Sequence, residues 1–252
     1  MPELKQNKVG IVSCSGEELA EGTVSRLAAL KVLEELRPGE TVTICLPLFL
    51  AGGEGDRAFA RFYPTIAIDG CEKRCAFRAT EMFSNTPVMG IVISGLTREQ
   101  GLERPQGCRK LDETGKKLVE IASIQAAEKV DELLGRRWSR REGVLEPREE
   151  DSAQSPKSAP GTEPGQTTCS CGSGIPVLKL KVNAREVEFL ALPSIFQNFL
   201  ENGQPPSPQT LSALMESVKL YTPISSDIEE AARAAVAKAY KAYWDTWQER
   251  RG

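Results

Sequence analysis

The chain has 252 residues, 40% of them hydrophobic and 27% charged, a composition typical of a globular protein large enough for two domains. Its formal net charge of -3 offers no overall positive charge to a polyanion, so we do not expect nucleic acid as a partner. No stretch approaches the length of about 20 apolar residues that a membrane helix needs, and no signal-peptide pattern begins the chain. We therefore expect a cytoplasmic protein without a membrane partner.

The numbers of cysteine and histidine residues limit the metal-binding and catalytic chemistry that the chain can carry out. The chain has 7 cysteines, and in a reducing compartment cysteines are more often metal ligands or redox groups than structural disulfides. It has no histidine, which excludes Ser-His and Cys-His nucleophilic mechanisms and every mixed Cys/His zinc site. Any transition metal bound here is therefore held by sulfur, with carboxylate or water as further ligands.

The N-terminal part of the chain alternates strand-like and helix-like segments. Continuous apolar runs, which are typical of strands covered on both faces of a parallel sheet, predict four strands. Periodic apolar positions predict two longer helices, the first of which ends at a Pro-Gly breaker. The expected strands cover residues 8–13, 41–46, 63–68 and 88–94, and the expected helices cover residues 23–36 and 111–134. This alternation predicts a three-layer α/β domain with about four mainly parallel strands over residues 1–138.

Residues 139–168 differ in composition, because Pro, Ser, Gly, Glu and Gln dominate and little is left to bury. We expect a disordered linker there. A small α+β domain is expected over residues 169–252, where an alternating pattern predicts a β-hairpin and three helices follow. The hairpin strands are expected at residues 178–182 and 187–189, and the helices near Pro193, at Ser207-Pro208 and at a capping box of Ser226 and Glu229.

Four cysteines stand at or after the ends of predicted strands. Cys14 follows the first strand, Cys45 lies at the end of the second, and Cys71 and Cys75 follow the third. Because the carboxyl ends of parallel strands share one edge of a sheet, where ligands bind, we expect these thiols to converge. If Cys71 begins a helix, the spacing of Cys71 and Cys75 also puts both sulfurs on one helix face. The alternative is that each is a small buried hydrophobic residue, above all Cys45.

The expected surroundings of these cysteines favour thiolates. A helix N-terminus supplies free N–H groups, and Lys73, Arg74 and Arg78 are close in sequence. Both effects lower the pKa of a thiol below its usual value of about 8.5. Thiolates bind soft or borderline metals and attack disulfides, so the sequence indicates a metal site or a redox site.

Three segments resemble a known family. They are Val12-Ser13-Cys14-Ser15-Gly16, Ile44-Cys45-Leu46-Pro47, and the run from Ile68 to Ala76 that contains Asp69-Gly70-Cys71 and Cys75. They resemble the DGC-domain family, which is named for its Asp-Gly-Cys motif and is described as binding zinc through four cysteines. The resemblance covers roughly residues 8–135 and implies that zinc is held by Cys14, Cys45, Cys71 and Cys75. The remainder of the chain is not typical of the family.

Three further cysteines lie outside this set. Cys108 is expected in a loop after the fourth strand, either as a fifth thiol near the others or as an isolated loop thiol. Cys169 and Cys171 form a C-x-C pair, which is able to bind metal or to exchange disulfides. A flexible linker of about 30 residues spans roughly 30 Å, enough for this pair to visit the first domain.

Two functions are therefore expected, and the residues leave both open. The first is a metal-binding protein that holds zinc or a soft metal such as mercury or copper(I), with Cys169 and Cys171 passing metal or electrons. The second is a thiol–disulfide redox enzyme with Cys71 or Cys75 as nucleophile and Cys169/Cys171 as resolving pair. The partner is then a metal ion or a thiol redox partner. An iron–sulfur cluster is a third, less favoured reading. A four-thiolate zinc site is usually closed and structural, whereas strand-end loops are typical of catalysis.

Overall fold

The computed structural model describes residues 8–135 except 15 and 17, residues 137–139, 144–146 and 167–168, and residues 175–249 except 184. These described residues divide into two compact units, one within residues 8–146 and the other within residues 167–249. Within these described residues, no helix is both long enough and apolar enough to cross a membrane.

The N-terminal unit is built on a four-stranded parallel sheet. Its strands are β1 (Val9–Ser13), β2 (Thr41–Thr43), β3 (Thr65–Asp69) and β4 (Met89–Val92). All neighbouring pairs are parallel, and the order across the sheet is β2-β1-β3-β4. The predicted α/β fold with a parallel sheet is confirmed. Because β1 lies between β2 and β3, the direction of winding reverses beside it, and such a reversal opens a crevice at the carboxyl ends of the strands.

Seven helices of this unit are described. They are α1 (Ala20–Lys31), α2 (Leu46–Ala51), α3 (Glu54–Arg57), α4 (Phe59–Phe62), α5 (Cys75–Phe83), α6 (Ile93–Glu99) and α7 (Glu113–Leu133). Helix α1 continues as a π-helical turn, Val32–Leu36, which ends where the Arg37 N–H donates to the Val32 carbonyl.

The sheet is covered on both faces, as a three-layer arrangement requires. One face carries the main apolar core, in which Ile11, Ile66 and Ile68 pack with α1, α6 and α7. Because successive strand residues point to opposite faces, Val12 and Ala67 belong to the other face, where α5 packs against β3 and β1. Both sets of side chains are fully buried, which explains why the strands are continuous apolar runs.

Two predicted strands are shorter than expected because helices take over their last residues. Strand β2 ends at Thr43, and residues 46–51 form α2, where Pro47 lies in the first turn. Proline suits that turn, since its missing N–H would have no partner there. Strand β4 ends at Val92, and the next residue begins α6. Apolar residues continue through both transitions, so apolar content alone does not mark them.

The predicted linker, residues 139–168, falls mostly outside the described residues. The described part near it holds two short antiparallel strands, β5 (Arg137–Ser139) and β6 (Val144–Glu146). Strand β7 (Thr167–Thr168) pairs with the first hairpin strand of the C-terminal unit.

The C-terminal unit is a β-hairpin followed by helices, as predicted. Strands β8 (Pro176–Val182) and β9 (Arg185–Leu190) are antiparallel, and Val182 pairs with Arg185 across a two-residue turn. The helices are α8 (Leu192–Glu201), α9 (Pro208–Tyr221) and α10 (Glu229–Glu249). The core of this unit combines aliphatic residues with four fully buried aromatic residues, Phe189, Phe196, Phe199 and Tyr240.

The caps of the last two helices differ in their agreement with the prediction. Ser207 caps α9 as expected, because its Oγ accepts the N–H of Thr210 at 3.1 Å. The capping box at Ser226 is wrong, since α10 begins at Glu229. The residues before it form a turn in which Ile228 N–H donates to the Ser225 carbonyl at 3.2 Å.

Candidate functional site

Cys14 follows β1 at the carboxyl edge of the sheet. There β1 lies beside β3, and the direction of winding reverses. Its N–H donates to the Ile68 carbonyl at 2.9 Å, so the residue continues the pairing of β1 with β3. Strand alternation then points its half-buried side chain to the face covered by α5, the face to which Asp69 also points. The backbone N–H groups of Gly16 and Gly70 donate to its Sγ.

The pKa of Cys14 differs from the expectation that the surroundings lower it. Burial raises the pKa of this thiol, because a thiolate loses hydration there. The two glycine N–H groups oppose the shift, whereas the nearby charges of Asp69 and Cys75 add to it. The protonated thiol of Cys14 is therefore favoured over the thiolate more than in a free cysteine.

Asp69 is a buried carboxylate that determines where α5 begins. It is 1% exposed, and its two oxygens accept the N–H groups of Ala76 at 2.7 Å and Phe77 at 3.1 Å. These bonds satisfy two of the free N–H groups at the start of the helix. Burial raises the pKa of Asp69, and the same two bonds oppose the rise. The carboxylate thus fixes Cys75, the first residue of α5, next to the end of β3.

The expected i, i+4 pair on one helix face is wrong. Cys71 lies in a turn before α5, where its carbonyl accepts the N–H of Arg74 at 3.0 Å. Arg74 has a left-handed backbone, with φ of 53°, and its guanidinium lies 3.9 Å from the centre of the Phe77 ring. Because the cap comes from Asp69, the helix starts only at Cys75. Cys71 is half-buried and Cys75 is exposed.

Helix α6 holds the same turn from its other side. The Ser94 N–H donates to the Gly70 carbonyl at 3.1 Å. The carboxylate of Glu72 pairs with Arg98 at 2.7 Å, and both side chains are exposed. An exposed ion pair of this kind adds little to the stability of the fold, so its main effect is on the orientation of the turn.

Cys45 lies at the same edge of the sheet, beyond β2. It immediately precedes α2, and its thiol is exposed. Strand β2 is held to β1 at this end, where the Thr43 hydroxyl donates to the Ile11 carbonyl at 2.7 Å. Helix α2 packs against α5, so Cys45 and Cys75 flank the starts of two neighbouring helices.

Three glycines let the backbone segments of this edge approach closely. A Cβ at Gly70 would lie 2.8 Å from the Gly22 nitrogen, and one at Gly22 would overlap the Gly16 carbonyl oxygen. The atoms that such a Cβ would meet belong to the backbone, which cannot move away as a flexible side chain can. Small residues at these positions therefore bring the first turn of α1 against the ends of β1 and β3.

A comparison with protein families matches the chain to the DGC domain over residues 10–127. Residues 10–127 form a DGC domain. The match covers both the edge of the sheet described above and the helices behind it, and it confirms the family suggested by the sequence. Comparisons with curated proteins and with solved structures give no significant match.

Cys108 belongs to the DGC domain but lies in the loop between α6 and α7. Its carbonyl accepts the Thr23 hydroxyl at 2.5 Å, which holds the loop beside the first turn of α1. Arg104 of the same loop pairs with the buried carboxylate of Glu21 at 2.6 Å. The Cys108 thiol itself is exposed. Cys169 and Cys171 lie outside the described residues.

The DGC domain thus brings Cys14 close enough to Asp69 and Cys75 for both to influence its thiol electrostatically. In the part of the chain that is described, no group of three or more Cys, Asp or Glu side chains is already arranged to hold a metal ion. Sequence reasoning missed the role of Asp69 as helix cap. The available signal was its position directly after a buried strand and before a short turn.

Proposed function

We propose that the DGC domain is a zinc-binding domain whose ligands are Cys14, Cys45, Cys71 and Cys75. One observation carries the proposal. Cys14, Cys45 and Cys75 stand at the carboxyl ends of β1 and β2 and at the start of α5, with Cys71 in the turn that connects β3 to that helix. This is the edge where parallel sheets bind ligands.

The donor set suits zinc. The chain has no histidine, so a tetrahedral site of protein ligands is built from thiolates here, and four thiolates are a common structural zinc set. The raised pKa of Cys14 makes zinc binding pH-dependent, because the thiol must lose its proton to become a ligand.

Zinc binding requires the thiols to draw together. Zn–S bonds of about 2.3 Å put tetrahedral sulfurs about 3.8 Å apart, and among the described residues no three candidate ligand side chains are already arranged to hold a metal ion. The segments that carry Cys45 and Cys71 are a helix start and a turn, which adjust more easily than the strands. The expected change is therefore local, with Cys14 and Cys75 as the fixed side of the site.

Beyond zinc binding, we propose a role in metal handling in a reducing, cytoplasmic setting. A site on strand-end loops is reachable from solvent, and the thiols of Cys45 and Cys75 are exposed. Cys169 and Cys171 supply an accessory thiol pair in the same chain, and Cys108 is a further exposed thiol. The partner is a metal ion or a thiol protein that exchanges it.

Elemental analysis of the anaerobically purified full-length protein tests this proposal. We expect about one zinc per chain, lost in the Cys14→Ser, Cys45→Ser, Cys71→Ser and Cys75→Ser variants. Cys108→Ser is the matched control and keeps its zinc. Zinc-free wild-type protein, or zinc that survives all four substitutions, would overturn the proposal. Iron with visible absorption would point to an iron–sulfur cluster.

A thiol–disulfide redox enzyme is the second candidate, and the exposure of Cys75 favours it. This thiol belongs to the first residue of the nine-residue helix α5 and is open to a disulfide partner in solution. Cys71 or Cys75 would act as nucleophile, and Cys169/Cys171 as resolving pair. Turnover of a model disulfide by metal-free protein, abolished in Cys75→Ser, would favour this function. No turnover, together with bound zinc, would exclude it.

A further inference from the structure

We infer that Cys14 and Cys75 form a reversible disulfide, a modification site in which the exposed thiol reacts first and the half-buried thiol closes the bond. The disulfide itself needs no metal. Only its consequence, the release of zinc, rests on the proposed function.

Geometry selects this pair from the thiols at the edge of the sheet. Strand alternation directs the Cys14 side chain to the face covered by α5. The carboxylate of Asp69 points to the same face and holds the first turn of α5, which Cys75 begins. Cys14 continues the pairing of β1 with β3 next to Asp69, and the Asp69 carboxylate accepts the N–H of Ala76, the neighbour of Cys75, at 2.7 Å.

Electrostatics indicates the same partner. The charges of Asp69 and Cys75 both act on the Cys14 thiol. Cys71 is nearer to Cys75 in sequence but belongs to the turn before the helix, on the far side of the Arg74 left-handed residue. Cys14 and Cys75 are thus brought together by tertiary structure, not by sequence spacing.

The two thiols differ in access, which sets the order of the steps. Cys75 is exposed, whereas Cys14 is half-buried beneath the N–H groups of Gly16 and Gly70. A small disulfide such as oxidised glutathione therefore meets Cys75 first. Its thiolate attacks one sulfur of the oxidant, forming a mixed disulfide and releasing one glutathione thiolate.

The second step closes the intramolecular bond. The Cys14 thiol passes its proton to the released glutathione thiolate or to water and attacks Sγ of Cys75, which expels the second glutathione. In total, two protein thiols lose two electrons and two protons, and oxidised glutathione gains them as two glutathione thiols. A thiol reductant reverses both steps. With zinc bound, the new bond removes two of four ligands, so zinc leaves.

Peptide mapping tests the pair directly, because trypsin separates the cysteines of the DGC domain. Cleavage puts Cys14, Cys45, Cys71, Cys75 and Cys108 in peptides 9–26, 32–57, 62–73, 75–78 and 99–109. The metal-free full-length protein is equilibrated with oxidised and reduced glutathione, alkylated and digested. We expect the link between peptides 9–26 and 75–78 as the main disulfide of this domain.

Matched variants make the test decisive. Cys14→Ser should leave Cys75 as a stable mixed disulfide with glutathione, and Cys75→Ser should leave Cys14 reduced. Cys108→Ser, which removes an exposed thiol outside the pair, should keep the wild-type yield of the link. A main link from Cys75 to Cys71 or Cys45, or no link within the domain, would overturn the inference. The wild-type map needs no variant to fold.

A separate arm distinguishes this inference from the zinc proposal. Zinc-loaded protein is treated with oxidised glutathione in the presence of a zinc indicator, and we expect zinc to appear together with the Cys14–Cys75 link. If the protein binds no zinc but the link forms, the zinc proposal fails and the disulfide stands. If zinc binds and no link forms, the disulfide fails alone.

Discussion

Replacing Asp69 with alanine tests how the edge of the sheet is held together. The substitution removes the acceptor of two N–H groups at the start of α5, and one of them belongs to the buried residue Ala76. Loss of an N-cap costs about 0.5–2 kcal/mol, and a buried donor without a partner costs about 1–3 kcal/mol. We therefore expect the free energy of unfolding of the N-terminal unit to fall by about 2–4 kcal/mol.

Asp112 is the matched control for this substitution. It caps α7 through a single bond to the Gly115 N–H at 2.7 Å and is half-buried, so Asp112→Ala should cost about 1 kcal/mol. Urea unfolding followed by hydrogen-exchange mass spectrometry reports the two units separately. If Asp69→Ala costs no more than Asp112→Ala, the carboxylate is not what holds α5 and Cys75 in place.

Three further predictions concern packing, a buried ion pair and pH. Gly70→Ala should lower the free energy of unfolding by about 1–3 kcal/mol in urea, because its Cβ would meet the backbone of α1. Gly53 has open space around it, so Gly53→Ala should change the free energy of unfolding by less than about 0.5 kcal/mol. Equal effects would contradict the packing argument. Arg37→Ala should lower the free energy of unfolding by about 3–5 kcal/mol, because it removes the partner that lies 2.5 Å from the buried carboxylate of Asp131. A decrease below about 1 kcal/mol would contradict this. Burial raises the pKa of Tyr240 to about 12. In the unfolded chain the Tyr240 hydroxyl ionises at about pH 10. The free energy of unfolding of the C-terminal unit should therefore fall by about 2–3 kcal/mol between about pH 10 and 12. Tyr240→Phe should lack this loss in pH-dependent unfolding; a loss that persists would refute the assignment.

The strands were predictable because burial on both faces leaves a signal within a few residues. Ile66 and Ile68 face one layer of helices and Ala67 the other, so no polar residue interrupts the run. The C-terminal hairpin was predictable for the opposite reason, since Lys179 and Lys181 alternate with apolar residues along a half-exposed strand. Both patterns reflect local burial, which sequence periodicity records.

The start of α5 was not predictable from local sequence. The stretch from Cys71 to Ala76 contains no strong breaker, and a helix beginning at Cys71 was a reasonable expectation. The helix starts only at Cys75 because its N-terminus is capped by the carboxylate of Asp69, six residues earlier. The pKa of Cys14 was also missed, because burial by tertiary packing outweighs the glycine N–H groups that lower it.

The topology of the sheet alone predicts along which edge the residues after the strands lie. Each strand of a parallel sheet ends at the same edge, so residues that follow strands meet there whatever the loop details. Which thiols come closest depends on helix caps and strand alternation, which only the folded chain defines. This is why Cys14 and Cys75, 61 positions apart, were not singled out as a pair from the sequence.

X-ray absorption spectroscopy at the zinc edge of the full-length, zinc-loaded protein tests the central claim most directly. A site made of Cys14, Cys45, Cys71 and Cys75 predicts four sulfur neighbours at about 2.3 Å and no lighter ligand. The signal should lose one sulfur in any single Cys→Ser variant that still binds zinc. A first shell of oxygen neighbours with two or fewer sulfurs would contradict the four-thiolate site.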